Sequence, residues 1–272
     1  MTRILGTKPI AQCLIRGVAA LATVGLTSME LAPAGEAPKG AKAAAGLAGD
    51  RIPTGSGDLI VHPIEHATLV LAHGGKTVYV DPVGGAAKFE GLPPPDLILI
   101  TDIHGDHADP KTVAAVKKGA AIVAPPAVAE KLTGEKVNTL KNGETREVAG
   151  IKIEAVPMYN LTPDRLKFHE KGRGNGYVIT LGGKRVYLSG DTEDIPEMRK
   201  LKDIDVAFVC MNLPYTMTVE QAAGAVKEFK PKIVYPYHYR GTQGKSDVEK
   251  FKKLLEPEKG VEVRLRNWYP EK

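Results

Sequence analysis

The stretch Leu97-Ile98-Leu99-Ile100-Thr101-Asp102-Ile103-His104-Gly105-Asp106-His107-Ala108-Asp109-Pro110 decides how the rest of the chain is read. Four apolar residues, rich in β-branched side chains, read as a buried strand. Asp109-Pro110 is a helix opening, with Asp as N-cap and Pro at the first helical position. Between them lie two carboxylates and two imidazoles, Asp102, His104, Asp106 and His107, within six residues. Asp and His are costly to bury unpaired. A strand-to-helix turn holding four of them is therefore a candidate metal or catalytic cluster.

Outward from this turn, Pro110–Lys118 reads as a helix stopped by Gly119, and Ala121–Ala124 as the next buried strand. Such a β-α-β unit sets its two strands side by side and parallel. Upstream, Leu59–Ile64, Ala67–Ala72 and Thr77–Val80 form a meander ending in Asp81-Pro82. Asp81 either sends its carboxylate toward the cluster from behind or makes an Asx turn into Pro82. His66, at a strand start, reads as a polar histidine beside the site rather than a ligand.

Downstream, Asn142-Gly143 is a hairpin turn signal before the alternating strand Ile151–Val156. A long irregular loop then runs from Pro157 to Gly176, a length that is usually functional. Its bases Arg165, Lys167, Lys171 and Arg173 suit an anionic substrate, and Asn160, Arg173 and Asn175 are its candidate substrate contacts. The hairpin Tyr177–Thr180 with Arg185–Ser189 delivers Gly190-Asp191-Thr192. Val206–Cys210 is a further buried strand. Thr218-Val219-Glu220-Gln221 and Ser246-Asp247-Val248-Glu249 are capping boxes that start two amphipathic helices. Between them Ile233–Tyr235 delivers Pro236-Tyr237-His238, and Val261–Leu265 is the last strand. Two mixed β-sheets sandwiched between helices, an αββα arrangement of the α/β class, would cover all these apolar faces.

The chain has 272 residues, a net charge of +5 and two cysteines. Its charge is too mild, and its Arg and aromatic residues too dispersed, for a nucleic-acid surface. Two cysteines exclude a disulfide framework and a Cys-based zinc site. Residues 1–34 combine a basic start with the ten-residue apolar run Gly17–Leu26 and the small residues Ala32-Pro33-Ala34, as an export signal does. That predicts a periplasmic or secreted protein, with a cytoplasmic one as the alternative. The apolar run is too short for a membrane span. Residues 35–57, rich in Ala, Gly, Pro and Lys, read as a flexible linker, so the domain is expected over 58–272.

Three strand ends thus carry ligand-type side chains: Asp102/His104/Asp106/His107, Asp191 and His238. Imidazole and carboxylate without thiolate suit Zn, and also Mn or Fe. Six candidates exceed one tetrahedral ion, so two divalent cations are expected, clamping a bridging hydroxide, with Asp191 as the shared carboxylate. No phosphate loop, nucleophile elbow or dinucleotide fingerprint competes with this reading.

The ordered set Asp102-x-His104-x-Asp106-His107, Ser189-Gly190-Asp191-Thr192 and Pro236-Tyr237-His238 resembles the signature of the metallo-β-lactamase superfamily. With Glu65-His66-Ala67-Thr68 and Asp81-Pro82, it looks closest to the branch of ascorbate-6-phosphate lactonase and the N-acyl-phosphatidylethanolamine phospholipase D enzymes. The resemblance implies a metal-dependent hydrolase of a small-molecule ester, lactone or phosphodiester. It also implies one cation on Asp102, His104 and a further histidine, and another on Asp106, His107 and His238. Asp191 stands between them, and Asp106 doubles as a proton shuttle.

Two departures stand out. Asp102 occupies a position where the family carries histidine, making that site harder and favouring Mn or Fe. The family's middle histidine is missing from Val156–Asn160, and His169 is its candidate replacement, the alternative being an ordinary loop histidine. A non-catalytic extracytoplasmic protein binding metal or an anion in the same pocket is the rival reading.

Overall fold

The structure, a computed structural model, describes residues Leu47–Pro270. The export signal expected over 1–34 and the first part of the expected linker lie outside the described residues. The linker reading fails at its other end. Asp50–Thr54 is strand β1, paired antiparallel with β2 (Gly57–Glu65) from Asp50↔Val61 to Thr54↔Gly57. It carries a single core residue, Ile52, and its Pro53 is tolerated because β1 is an edge strand. That is too little apolar pattern to read as a strand, so the domain starts earlier than Asp58.

Two seven-stranded sheets form the body. The first runs β1, β2, β3 (Thr68–His73), β4 (Lys76–Val80), β5 (Leu97–Leu99), β6 (Ala121–Ala124) and β7 (Val137–Thr139). Strands β1 to β4 are antiparallel, and β4 to β7 are parallel. The second sheet contains β8 (Thr145–Val148), β9 (Ile151–Met158), β10 (Gly174–Leu181), β11 (Lys184–Leu188), β12 (Val206–Cys210) and β13 (Ile233–Tyr237). After a short ribbon, β14 (Arg240–Gly241) and β15 (Gly244–Lys245), the strand β16 (Glu262–Val263) completes its far edge beside β13. It repeats the plan of the first sheet: β8 to β11 antiparallel, then β11, β12, β13 and β16 parallel.

Alternation along the strands sorts the first sheet into two faces. Leu69, Leu71, Val78, Val80, Leu97 and Leu99 join Ile151, Ile153, Tyr177 and Ile179 of the second sheet in one core. Val70, Tyr79, Ile98, Ile100 and Ile122 face outward, where α1 (Pro110–Val116) and α2 (Pro126–Lys131) cover them with Val113, Val116 and Val128. After a single turn, α3 (Pro196–Arg199), α4 (Val219–Phe229) and α5 (Val248–Leu255) supply Met198, Val226, Phe229, Phe251 and Leu255 to the core of the second sheet. The αββα expectation holds.

Three local readings differ. Asn142-Gly143 is not a hairpin turn, because β7 and β8 belong to different sheets and the segment carries the chain between them. The hairpin is one strand later, at Ala149-Gly150, where both residues have positive φ (53° and 74°). Ser246 does not cap α5. Asp247 does, accepting from Lys250 N at 2.9 Å, whereas the box at Thr218 and Gln221 forms in full. The glycines Gly174 and Gly176 are in β10, so the irregular loop is residues 159–173. A Cβ on Gly176 would lie 2.9 Å from the carbonyl oxygens of Leu188 and Ser189, so this crossing admits only glycine.

Candidate metal centre

The candidate ligands leave the ends of strands from both sheets and meet at one edge of the sandwich. The turn after β5 brings Asp102, His104, Asp106 and His107. Asp109 caps α1 by accepting from Lys111 N at 3.0 Å, which fixes where that turn ends. β11 delivers Asp191, and β13 delivers His238. The loop after β9 delivers His169, which is buried at 2% exposure and not an ordinary loop histidine. Its Nε2 lies 3.4 Å from Asp191 Oδ2 and 3.8 Å from Asp102 Oδ2.

Asp191 is the hub. His107 Nε2 lies 3.5 Å from its Oδ2, and His238 Nε2 lies 3.5 Å from its Oδ1. His238 Nε2 also lies 3.3 Å from Asp106 Oδ2, and His104 Nδ1 pairs with Asp102 Oδ2. Two groupings result. Asp102, His104 and His169 form one, and His107, His238 and Asp191 the other, with Asp106 beside His238. Asp106 and His238 form a further grouping with His66.

These residues fit divalent cations. Two ligand atoms each about 2.0–2.1 Å from one tetrahedral ion stand about 3.3–3.4 Å apart, close to most of the spacings above. Oδ1 of Asp102, Oδ1 of Asp191 and Nε2 of His107 are buried without a hydrogen-bond partner among the described residues. Three carboxylates in this enclosed space call for compensating positive charge. In the protein alone, burial opposes charging His107. The carboxylates of Asp191 and Asp81 outweigh burial and hold the ring protonated well above the ordinary histidine range.

Asp81 stands behind His107 rather than in the cluster. Its Oδ2 lies 2.8 Å from His107 Nδ1 and accepts from Thr101 Oγ1 at 2.6 Å, while its Oδ1 accepts from Thr101 N at 2.7 Å. A carboxylate behind a ligating histidine fixes the ring's tautomer and leaves Nε2 for the cation. His66 Nδ1 lies 3.5 Å from the Tyr269 hydroxyl, and its ring packs edge-on against His238 at 5.3 Å. Burial, then His238, pushes its pKa down to about 4, so the ring is neutral. His66, Asp81 and His238 all have left-handed backbone, with φ of 47°, 43° and 42°. Such strained positions gather at functional sites.

The expected substrate contacts are corrected. Asn160 and Asn175 are buried structural residues. Asn160 donates to the carbonyls of Arg165 (2.9 Å) and Tyr215 (2.7 Å), and Asn175 donates to Leu140 O at 2.8 Å. Arg165 pairs with Glu193, Lys171 with Glu197, and Arg173 with Asp102. These bases build the loop and do not wait for an anion. Four residues went unread in the sequence. Glu193 is fully buried and accepts from Leu161 N and Thr162 N, both at 2.6 Å, and from Arg165 Nη1 at 2.9 Å, clamping the loop that carries His169. Its position two residues after Asp191 was the only signal. Asn212, two residues after β12, donates to Asp191 Oδ2 at 3.1 Å. Tyr215 and Phe168, with ring centroids 5.1 Å apart, wall a cavity of about 270 Å³ whose floor is His104, Asp106, His169, Asp191 and Asn212. A roomier cavity of about 600 Å³ beside Trp268 and Tyr269 holds none of the clustered ligands, so size does not mark the site.

Two helix-flanked mixed sheets with Asp and His ligands on their common edge define a metallo-hydrolase fold. Comparison with known proteins agrees: the beta-lactamase superfamily domain family matches residues 61–238, and the chain belongs to that superfamily. It is 35% identical over 204 residues to a UPF0173 metal-dependent hydrolase of Pyrococcus abyssi, covering 70% of this chain and 89% of that one. A UPF0173 metal-dependent hydrolase of Thermus thermophilus is 33% identical over 213 residues, covering 74% and 93%. Among solved structures, a protein assigned as a metal-dependent hydrolase from Parabacteroides distasonis superposes with a TM-score of 0.74 at 47% identity, covering 80% of this chain and 98% of that one. The metallo hydrolase of Ignicoccus hospitalis, at 24% identity and a TM-score of 0.66, shares the fold.

Proposed function

We propose that this chain hydrolyses an ester or lactone with the help of two divalent cations, one held by Asp102, His104 and His169, the other by Asp106, His107 and His238. The observation that carries this reading is Asp191, whose two oxygens face the imidazoles of His169 and His107 on one side and His238 on the other. When bound, the cations would acidify a water near neutral pH and draw charge from the scissile group.

The chain's own residues supply the rest. Asn212 holds Asp191 Oδ2 and keeps that carboxylate from turning. Asp106, with a side chain 44% exposed against 0% for Asp102 and 5% for Asp191, is the carboxylate open to the cavity and the one placed to pass a proton to a leaving group. Phe168 and Tyr215, packed edge to face at 84°, offer an apolar corner against which a substrate can rest while excluding water. Among the described residues, no lysine or arginine lines this cavity, which supports a neutral carbonyl substrate over a phosphodiester.

Purified protein assayed on lactones, aryl esters and phosphodiesters, with metal content measured in parallel, tests the reading. Turnover of lactones or esters that is lost in Asp191→Ala supports it, and full activity in that variant overturns it. The basic, then apolar, first 34 residues support action outside the cytoplasm. Fractionation of tagged cells checks this, and a full-length cytosolic product would refute it.

A further inference from the structure

We propose that Asp102 and Arg173 form one unit that sets the metal preference of the first half-site, turning it toward manganese or ferrous iron and away from zinc. This rests on the reading that the cluster holds two cations.

Asp102 is fully buried, and its two oxygens face different ways. Oδ2 turns inward, paired with His104 Nδ1 and 3.8 Å from His169 Nε2. Oδ1, buried as well, lies 3.6 Å from Arg173 Nη2. The guanidinium charge therefore lies beside Oδ1 as an ion pair, without a hydrogen bond to it, and holds the carboxylate in place. The same Nη2 donates to the carbonyl of Phe168, the residue before His169. Arg173 thus ties two ligands of the same half-site, one from the β5 turn and one from the β9–β10 loop, into a single spacing.

With Asp102 in this position the two half-sites have the same donors. Each has two imidazoles and one carboxylate of its own, and they share Asp191. Two imidazoles with one carboxylate serve ferrous iron as well as zinc, each further oxygen donor suits manganese, and an added imidazole moves a site toward zinc. Arg173 also fits only an anionic neighbour. Beside a cation held by three neutral imidazoles its charge would be repelled, but beside Asp102 it is paired. Asp102 and Arg173 therefore belong together, and Arg173 is a positioning residue acting through Asp102.

The test is metal selectivity rather than turnover. Apoprotein is dialysed against buffers holding Mn(II) and Zn(II) together, and bound metal is counted by elemental analysis. The manganese-loaded form is read by electron paramagnetic resonance. The natural chain should hold two ions. Asp102→His should still hold two, with the zinc-over-manganese preference of one of them raised about tenfold or more. Asp102→Asn, which keeps the shape, should lose manganese from one position. Arg173→Met should weaken one of the two ions by about 10–100-fold in the Asp102 protein and change little in the Asp102→His background.

An unchanged zinc-to-manganese ratio in Asp102→His overturns the proposal, as does an equal effect of Arg173→Met in both backgrounds. Fewer than two ions in the natural chain would instead overturn the two-cation reading beneath it. Circular dichroism of each variant without metal separates loss of a ligand from loss of the fold.

Discussion

Asp81 Oδ2 and His107 Nδ1 face each other at 2.8 Å inside the molecule, both side chains at 0% exposure. This pairing connects the end of β4 to the candidate-ligand turn after β5, and it leaves Nε2 as the His107 nitrogen that the proposed cation would use. Asp81→Asn keeps the shape but lets the amide offer either a donor or an acceptor to the ring. We expect metal affinity to fall by about 10–100-fold at one position. Competition with a chelating indicator measures this, and an unchanged affinity would show that Thr101 Oγ1, 3.0 Å from His107 Nδ1, orients the ring alone.

Glu193 holds the loop that carries His169 through three charge-assisted hydrogen bonds. Glu193→Gln keeps one acceptor but loses the charge that Arg165 pairs with. A hydrogen bond to a charged group is worth about 1.5–3 kcal/mol, so stability should drop by about that amount. Hydrogen exchange should rise in residues 159–173 before it rises in the strands. Uniform exchange across the chain would place the clamp's effect elsewhere.

Gly176→Ala should be costly although Gly176 lies in regular strand. The added methyl meets two backbone oxygens at 2.9 Å, and neither can move without shifting the strand end that leads to Asp191. Overpacking of this kind costs about 1–3 kcal/mol. Urea unfolding should show it, together with weaker metal retention. A neutral result would mean that β10 and β11 can separate freely here.

The pH dependence of stability should carry a signature of Asp50. Burial alone would raise its pKa. The hydrogen bonds from Tyr235 and Arg266, with the charges of Arg264 and Arg266, outweigh burial and hold the carboxyl below its ordinary range. A lowered folded-state pKa stabilises above the unfolded value of about 3.9, and the contribution is lost as pH falls through the folded value. The gap in urea midpoint between the natural chain and Asp50→Asn should therefore be widest above about pH 5 and shrink by about pH 3. A gap that is constant over this range would remove the ionised carboxylate from the explanation.

Much of this architecture was legible because its signals are local. The run Leu97–Ile100, the cap at Asp109-Pro110 and the run Ala121–Ala124 each report on their own residues, and β5, α1 and β6 follow from them. The same holds for Thr218 and Gln221 at the start of α4. What was misread depends on partners far away in the chain. Asn142-Gly143 has the chemistry of a tight turn, but nothing nearby states that the next strand joins another sheet. β1 has one core residue and draws its order from pairing with β2 and from Tyr235 and Arg266, the latter two nearly two hundred residues or more away. The loop bases read as free charge because Glu193, Glu197 and Asp102 could not be seen beside them. His169 stood between two readings until the fold of residues 159–173 turned it inward.

The ligands come from both sheets, so the spacing between Asp191 and His107 measures how one sheet rides over the other. A methylene removed from Leu71 or Ile179, in the core between the sheets, would let the sheets slide slightly and change that spacing. The cluster is in this sense a gauge of the core, and under the proposed two-cation reading its metal affinity should register packing defects that leave overall stability barely altered.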